Sequence, residues 1–106
     1  IAQAFVNSKI QPGKVVVFIK PTCPFYRKTQ DLLSQLPFKE GLLEFVNITA
    51  TSYTNEIQDY LQLLTGARTV PQVFISKECI GGCTDLVSMH ERGELLTRLE
   101  QTGALK

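Results

Sequence analysis

The chain has 106 residues, 43% of them hydrophobic and 20% charged. That is enough for one core and not two, and it excludes the compositions of disordered and fibrous chains. A formal net charge of +1 and a pI near 7.9 give no overall attraction to nucleic acid or to an anionic membrane.

The turn signals fall at short, regular intervals, with no repeat or linker between them, so one domain over 1–106 is expected. Lys14-Val-Val-Val-Phe-Ile-Lys20, bounded by Pro12-Gly13 and Pro21, reads as a buried central strand. It is far too short to span a bilayer, and no charged and apolar leader pattern stands ahead of it. Pro24 suits the first position of a helix capped by Cys23, with Phe25, Thr29, Leu32, Leu33 and Leu36 on one face and an end by Pro37. Leu43 to Ile48 is the next strand. Thr54 is then placed to cap a helix that buries Ile57, Tyr60, Leu61 and Leu64 and stops at Gly66.

Gln72 to Ser76 and Glu78 to Ile80 form a short hairpin, with Pro71 confined to its start and Gly81-Gly82 breaking the chain after it. From about Cys83 the pattern is helical again, with Leu86 and either Met89 or His90 inward. Leu95, Leu96 and Leu99 mark a last helix ended by Gly103. The order is α-β-α-β-α-β-β-α-α. A helix between the first two strands makes them parallel, and a tight turn makes the last two antiparallel. The expected fold class is α/β, a mixed four-stranded sheet flanked by about five helices.

An odd number of cysteines, Cys23, Cys79 and Cys83, fits thiols in a reducing compartment better than a disulfide scaffold. Residues 1–30 carry Lys9, Lys14, Lys20, Arg27 and Lys28 and no acid, so they hold +5 against −4 for the remainder. Such a run is commonly a solvated face. Here it surrounds a cysteine that follows a strand and opens a helix, where cations and the helix N-terminus favour thiolate over thiol. Cys23 is therefore the candidate nucleophile, with Lys20 and Arg27 in support; the competing reading is a small buried cysteine. A zinc site of Cys79, Cys83 and His90 lacks the usual two-residue knuckle spacing. Cys79 and Cys83 as partly exposed, non-catalytic thiols is the simpler expectation, with Tyr60 and Phe74 in the core.

Lys20-Pro-Thr-Cys-Pro-Phe25, Arg68-Thr-Val-Pro71 and Ile80-Gly-Gly-Cys-Thr-Asp85, in that order and spacing, resemble the glutaredoxins, or thioltransferases. The likeness runs the length of the chain, through Gln11 to Val17, Thr54 to Tyr60 and Gly93 to Arg98. It implies a thioredoxin-like fold, a cytoplasmic monomer, and thiol–disulfide exchange with glutathione as co-substrate and no metal. The implied partners are glutathionylated proteins and small mixed disulfides, with glutathione reductase serving indirectly. Carried over residue by residue, Lys20, Gln58 and Arg68 would hold the glycyl carboxylate. Val70, before a cis Pro71 and beside Thr69, would pair its backbone with the tripeptide. Gly82, Cys83 and Thr84 would receive the γ-glutamyl carboxylate, Asp85 would face its ammonium group, and Phe25 would give the groove an apolar edge.

The sequence departs from that pattern where dithiol members carry a second cysteine, because Tyr26 stands there. A phenol with a pKa near ~10 does not resolve a mixed disulfide. A monothiol cycle through Cys23 survives, unless the ring obstructs the site and leaves a silent glutathione-binding module. A glutathione-liganded iron–sulfur carrier is a further alternative, disfavoured by Pro24 and the bulk of Tyr26. Ser76 occupies a hairpin position where the family suggests Gly, at a cost of roughly 1–2 kcal/mol if φ is positive. Gln72 replaces a basic residue, and Asn47 and Tyr53 replace acids.

Overall fold

The computed structural model describes residues 1–106. Its elements are α1 (Ala2–Lys9), β1 (Val15–Ile19), α2 (Pro24–Ser34), β2 (Leu43–Asn47), a 3-10 turn (Ile48–Ala50), α3 (Thr54–Thr65), β3 (Gln72–Ile75), β4 (Glu78–Gly81), α4 (Cys83–Glu91) and α5 (Glu94–Thr102). The sheet order is β2-β1-β3-β4, with β1 and β2 parallel and the other two pairs antiparallel. This is the expected mixed sheet, with the expected five α-helices.

All five residues of β1 are buried because helices cover both faces of the sheet. Alternation sends Val15, Val17 and Ile19, with Val73 and Ile75 of β3, to one side, where they meet Leu33, Leu86, Leu95 and Leu99. Val16, Phe18 and Phe74 go to the other side, against Val6, Ile57 and Leu61. Phe18 and Phe74 meet edge to face there, with centroids 5.6 Å apart. The central strand is thus pinned from both layers, and the loop after it has a fixed place to start.

Several expectations change in detail. Tyr53, not Thr54, stands at the N-cap of α3; Thr54 is the first helical residue, and its hydroxyl donates to the Ile48 carbonyl at 2.8 Å. Leu64 and Leu96 are each 45% exposed, since the buried stripes of α3 and α5 follow Ile57–Leu61 and Leu95–Leu99. Phe25 is likewise outside the buried face of α2, which consists of Thr29 and Leu33. Tyr60 is only partly buried and donates from its hydroxyl to Asn7 Oδ1 at 3.1 Å. Met89 rather than His90 faces inward.

The hairpin turn has positive φ at both central residues, 50° at Ser76 and 74° at Lys77, as a two-residue turn of the primed type requires. The concern over Ser76 is therefore justified by its backbone. Its hydroxyl offers compensation by accepting the Gly13 N–H at 3.0 Å. Asn47 and Tyr53 also have structural work. Asn47 Oδ1 caps the 3-10 turn through the Thr49 N–H at 2.9 Å, and Tyr53 packs edge-on against Phe5.

Candidate functional site

Where β1 ends, Lys20-Pro-Thr-Cys23 makes a tight turn closed by the Cys23 N–H on the Lys20 carbonyl at 2.9 Å. Proline at the second position of such a turn has the φ the turn needs. Cys23 is the N-cap of α2 with extended backbone, and Pro24 occupies the first helical turn. Its side chain makes no capping bond. The half-buried thiol instead donates to the Val70 carbonyl at 3.6 Å, across the chain on the segment leading into β3.

The sulfur opens onto a groove of about 520 Å³. One wall is Thr69, Val70 and Pro71, with the Val70–Pro71 peptide cis. The opposite wall is the start of α4, where Gly82 is the N-cap and Cys83 and Thr84 follow. Two helix N-termini, those of α2 and α4, therefore meet one cleft. Unpaired N–H groups and the positive ends of both dipoles favour an anionic ligand between them.

Backbone spacing at this cleft is tight. Asp85 Oδ2 accepts the Gly82 N–H at 2.9 Å and so folds back over the end of β4. Gly81 has φ +114°, and a Cβ there would collide with the Asp85 carboxylate. At Gly82 a Cβ would sit 3.2 Å from the Pro71 carbonyl. The Gly-Gly pair lets the two walls approach, and Asp85 keeps its exposed carboxylate at the rim.

Among the expected residues, Cys23, Phe25, Thr69, Val70, Pro71, Gly82, Cys83, Thr84 and Asp85 all line the groove. Lys20, Gln58 and Arg68 do not. Gln58 is 6% exposed and donates from Nε2 to the Arg68 carbonyl at 3.0 Å, so it braces the groove from behind instead of facing a ligand. The Arg68 guanidinium reaches the other way, to Asp59 Oδ1 at 3.1 Å and the Asn55 carbonyl at 3.4 Å. Arg27 is exposed and belongs to a different hollow. Thr65, Ala67, Gln72, Cys79 and Gly81 line the groove unexpectedly. Gln72 and Gly81 had a signal in their adjacency to Pro71 and Gly82; Thr65 and Ala67 had none.

The other two cysteines differ from Cys23. Cys83 is 6% exposed, a correction to its reading as a partly exposed thiol: it is the first residue of α4 and is buried at the base of the groove wall. Cys79 is half-buried; desolvation pushes its pKa up, the Gly81 backbone hydrogen bond opposes that, and the Asp85 charge adds to it. Cys79, Cys83 and His90 do not converge, since no three metal-ligating side chains cluster in the structure.

Tyr26 turns away from the groove. Its ring packs on the core and stands edge-on to Phe45 of β2, with centroids 6.4 Å apart. It lines a second hollow of about 560 Å³ with Pro21, Thr22, Cys23, Pro24, Arg27 and Gln30. The phenol is not among the residues that line the groove, but it shares the second hollow with Cys23.

Residues 15–80 match the glutaredoxin family model. The chain belongs to the glutaredoxin family, whose members are thiol–disulfide oxidoreductases that work with glutathione. It is 89% identical to pig glutaredoxin-1 and 76% identical to the human protein, each alignment covering 100% of both chains. A buckwheat glutaredoxin–glutathione complex superposes with a TM-score of 0.89 at 30% identity, covering 99% of this chain and 93% of that one. The thioredoxin-like fold is shared with these glutaredoxins. No helix is long and apolar enough to cross a membrane.

Proposed function

We propose that this glutaredoxin removes glutathione from glutathionylated thiols by a monothiol cycle at Cys23. The observation that carries the reading is Cys23 at the N-cap of α2, facing a groove whose walls are the Thr69–Pro71 segment and the first turn of α4. A helix N-terminus stabilises thiolate, the nucleophilic form. The Cys23 thiolate attacks the glutathione sulfur of the mixed disulfide. The substrate sulfur leaves with the bonding pair and takes a proton, and Cys23 is left joined to glutathione. A second glutathione thiolate then attacks the glutathione sulfur, releasing Cys23 as thiolate and forming glutathione disulfide. Tyr26 supplies no second thiol, so intramolecular resolution at that position does not compete.

In this reading the γ-glutamyl carboxylate sits at the N-terminus of α4, with the Asp85 carboxylate beside its ammonium group. The Val70 backbone pairs with the tripeptide, and Phe25, 53% exposed at the rim, covers its apolar stretch. Lys20 and Arg68 receive the glycyl carboxylate. The Arg68–Asp59 pair is exposed on both sides and hence weak, so exchanging Asp59 for a ligand carboxylate costs little. Gln58 contributes through the Arg68 carbonyl.

The test is reduction of a glutathionylated peptide by glutathione, coupled to NADPH oxidation through glutathione reductase. Steady turnover that falls to background in Cys23→Ser is expected. Turnover absent from the unaltered protein would leave a binding module in place of an enzyme.

A further inference from the structure

The segment from Ala67 to Val70 lies in no helix or strand, yet its first three carbonyls are taken one after another by two buried glutamines. Gln72, 2% exposed at the start of β3, donates from Nε2 to the Ala67 carbonyl at 2.6 Å and to the Thr69 carbonyl at 3.0 Å. Gln58 takes the Arg68 carbonyl between them. The Gln72 amide is held at its other end too. Its Oε1 accepts from the Cys79 thiol at 3.9 Å and lies 3.1 Å from the Thr65 hydroxyl, which also reaches the Leu61 carbonyl at 2.9 Å. A side chain that donates twice and accepts at once suits an amide; Lys and Arg have donors alone.

Turning these carbonyls inward leaves the opposite groups over. The N–H groups of Arg68, Thr69 and Val70 have no acceptor in the chain, and Thr69 and Val70 line the groove. An extended peptide pairs with such a row of donors. It binds well only where the row is already ordered, because ordering at the moment of binding subtracts from affinity.

We propose that Gln72 is a positioning residue. By fixing the Ala67 and Thr69 carbonyls inward, it presents the Thr69 and Val70 N–H groups to the glutathione moiety and so sets KM for glutathionylated substrates, not the sulfur chemistry at Cys23. This rests on the groove being the glutathione site.

The experiment combines steady-state kinetics on a glutathionylated peptide with NMR order parameters for the amides of Arg68, Thr69 and Val70. Gln72→Met keeps the length and removes the hydrogen bonds. KM is expected to rise about tenfold with kcat within about twofold, a loss of binding and not of chemistry. The three amides are expected to fall from the rigid value of about 0.85 to below about 0.6. Gln72→Glu, which keeps the shape and an acceptor but replaces the Nε2 donors to the Ala67 and Thr69 carbonyls, shifts KM the same way and decides the matter if Gln72→Met does not fold. Unchanged KM in a variant whose melting temperature alone drops would overturn the proposal, as would a fall in kcat at constant KM. If the unaltered protein shows no turnover, the glutathione reading fails, and the order parameters still judge Gln72: equal order in both proteins contradicts its positioning role, and loss in the variant supports it.

Discussion

Cys23 stands on the ridge between two hollows of similar size, and they are built differently. The groove draws on stretches far apart in sequence, around Cys23, Thr65 to Gln72 and Cys79 to Asp85, so its shape depends on how the fold brings them together. The hollow on the other side comes from one stretch, Pro21 to Gln30, with Tyr26, Arg27 and Gln30 among its lining residues. Buried glutamines and closely approached glycines hold the segments of the groove together, whereas the second hollow is local to one turn and the helix after it. The residue that departs from the dithiol pattern, Tyr26, lines the second hollow and not the groove, so the two can be altered separately.

Tyr26→Cys breaks this separation most strongly. A thiol one helical turn from Cys23 is expected to raise the rate of reduction of intramolecular protein disulfides above that of the unaltered protein, measured on a disulfide-bonded protein substrate. Losing the ring that packs on Phe45 should at the same time lower stability by about 1–2 kcal/mol, read by denaturant titration. On the groove side, Gly81→Ala forces a left-handed backbone on alanine and drives its Cβ into Asp85. It should cost about 1–3 kcal/mol and raise KM for a glutathionylated peptide by displacing Asp85 from the Gly82 N–H.

Two substitutions outside both hollows serve as contrasts. Lys77→Gly relieves a positive φ at an exposed turn residue and should stabilise by about 1 kcal/mol, visible as a melting temperature about 4–8 °C higher with kinetics unaltered. The smallest effect is at Glu44, whose carboxyl is held below its ordinary pKa by its hydrogen bond to Lys14, against some desolvation, with Lys9 as second partner. A depressed carboxylate stabilises the fold above its unfolded pKa near ~4.3 and loses that contribution as pH falls through the folded value. Glu44→Gln should therefore cost less than about 1 kcal/mol at neutral pH, and the gap should close in acid, as unfolding curves at several pH values will show.

The sheet was legible because its signals are local: an unbroken β-branched run for the central strand, Pro24 opening a helix, Gly66 and Gly103 closing two others. The groove was legible through three motifs that each mark a turn or a helix start. Contacts between distant segments were not. Nothing near Tyr26 in sequence says that Phe45 awaits its ring. Gln58 resembles a surface residue of α3 until the Arg68 carbonyl is brought to it, and Gln72 reads as the loss of a charge when it is an amide with donors and acceptor all engaged. Thr54 met the sequence rule for a cap, but the preceding 3-10 turn supplied its hydroxyl with a different acceptor.

The central claim is that Cys23 works alone. Its most direct test is to quench the protein in acid during turnover on a glutathionylated peptide and map the three cysteines by mass spectrometry. The account predicts glutathione on Cys23, with Cys79 and Cys83 as free thiols. A disulfide joining Cys23 to Cys79 or Cys83 as the accumulating species, or glutathione carried by Cys79 with Cys23 free, would contradict it.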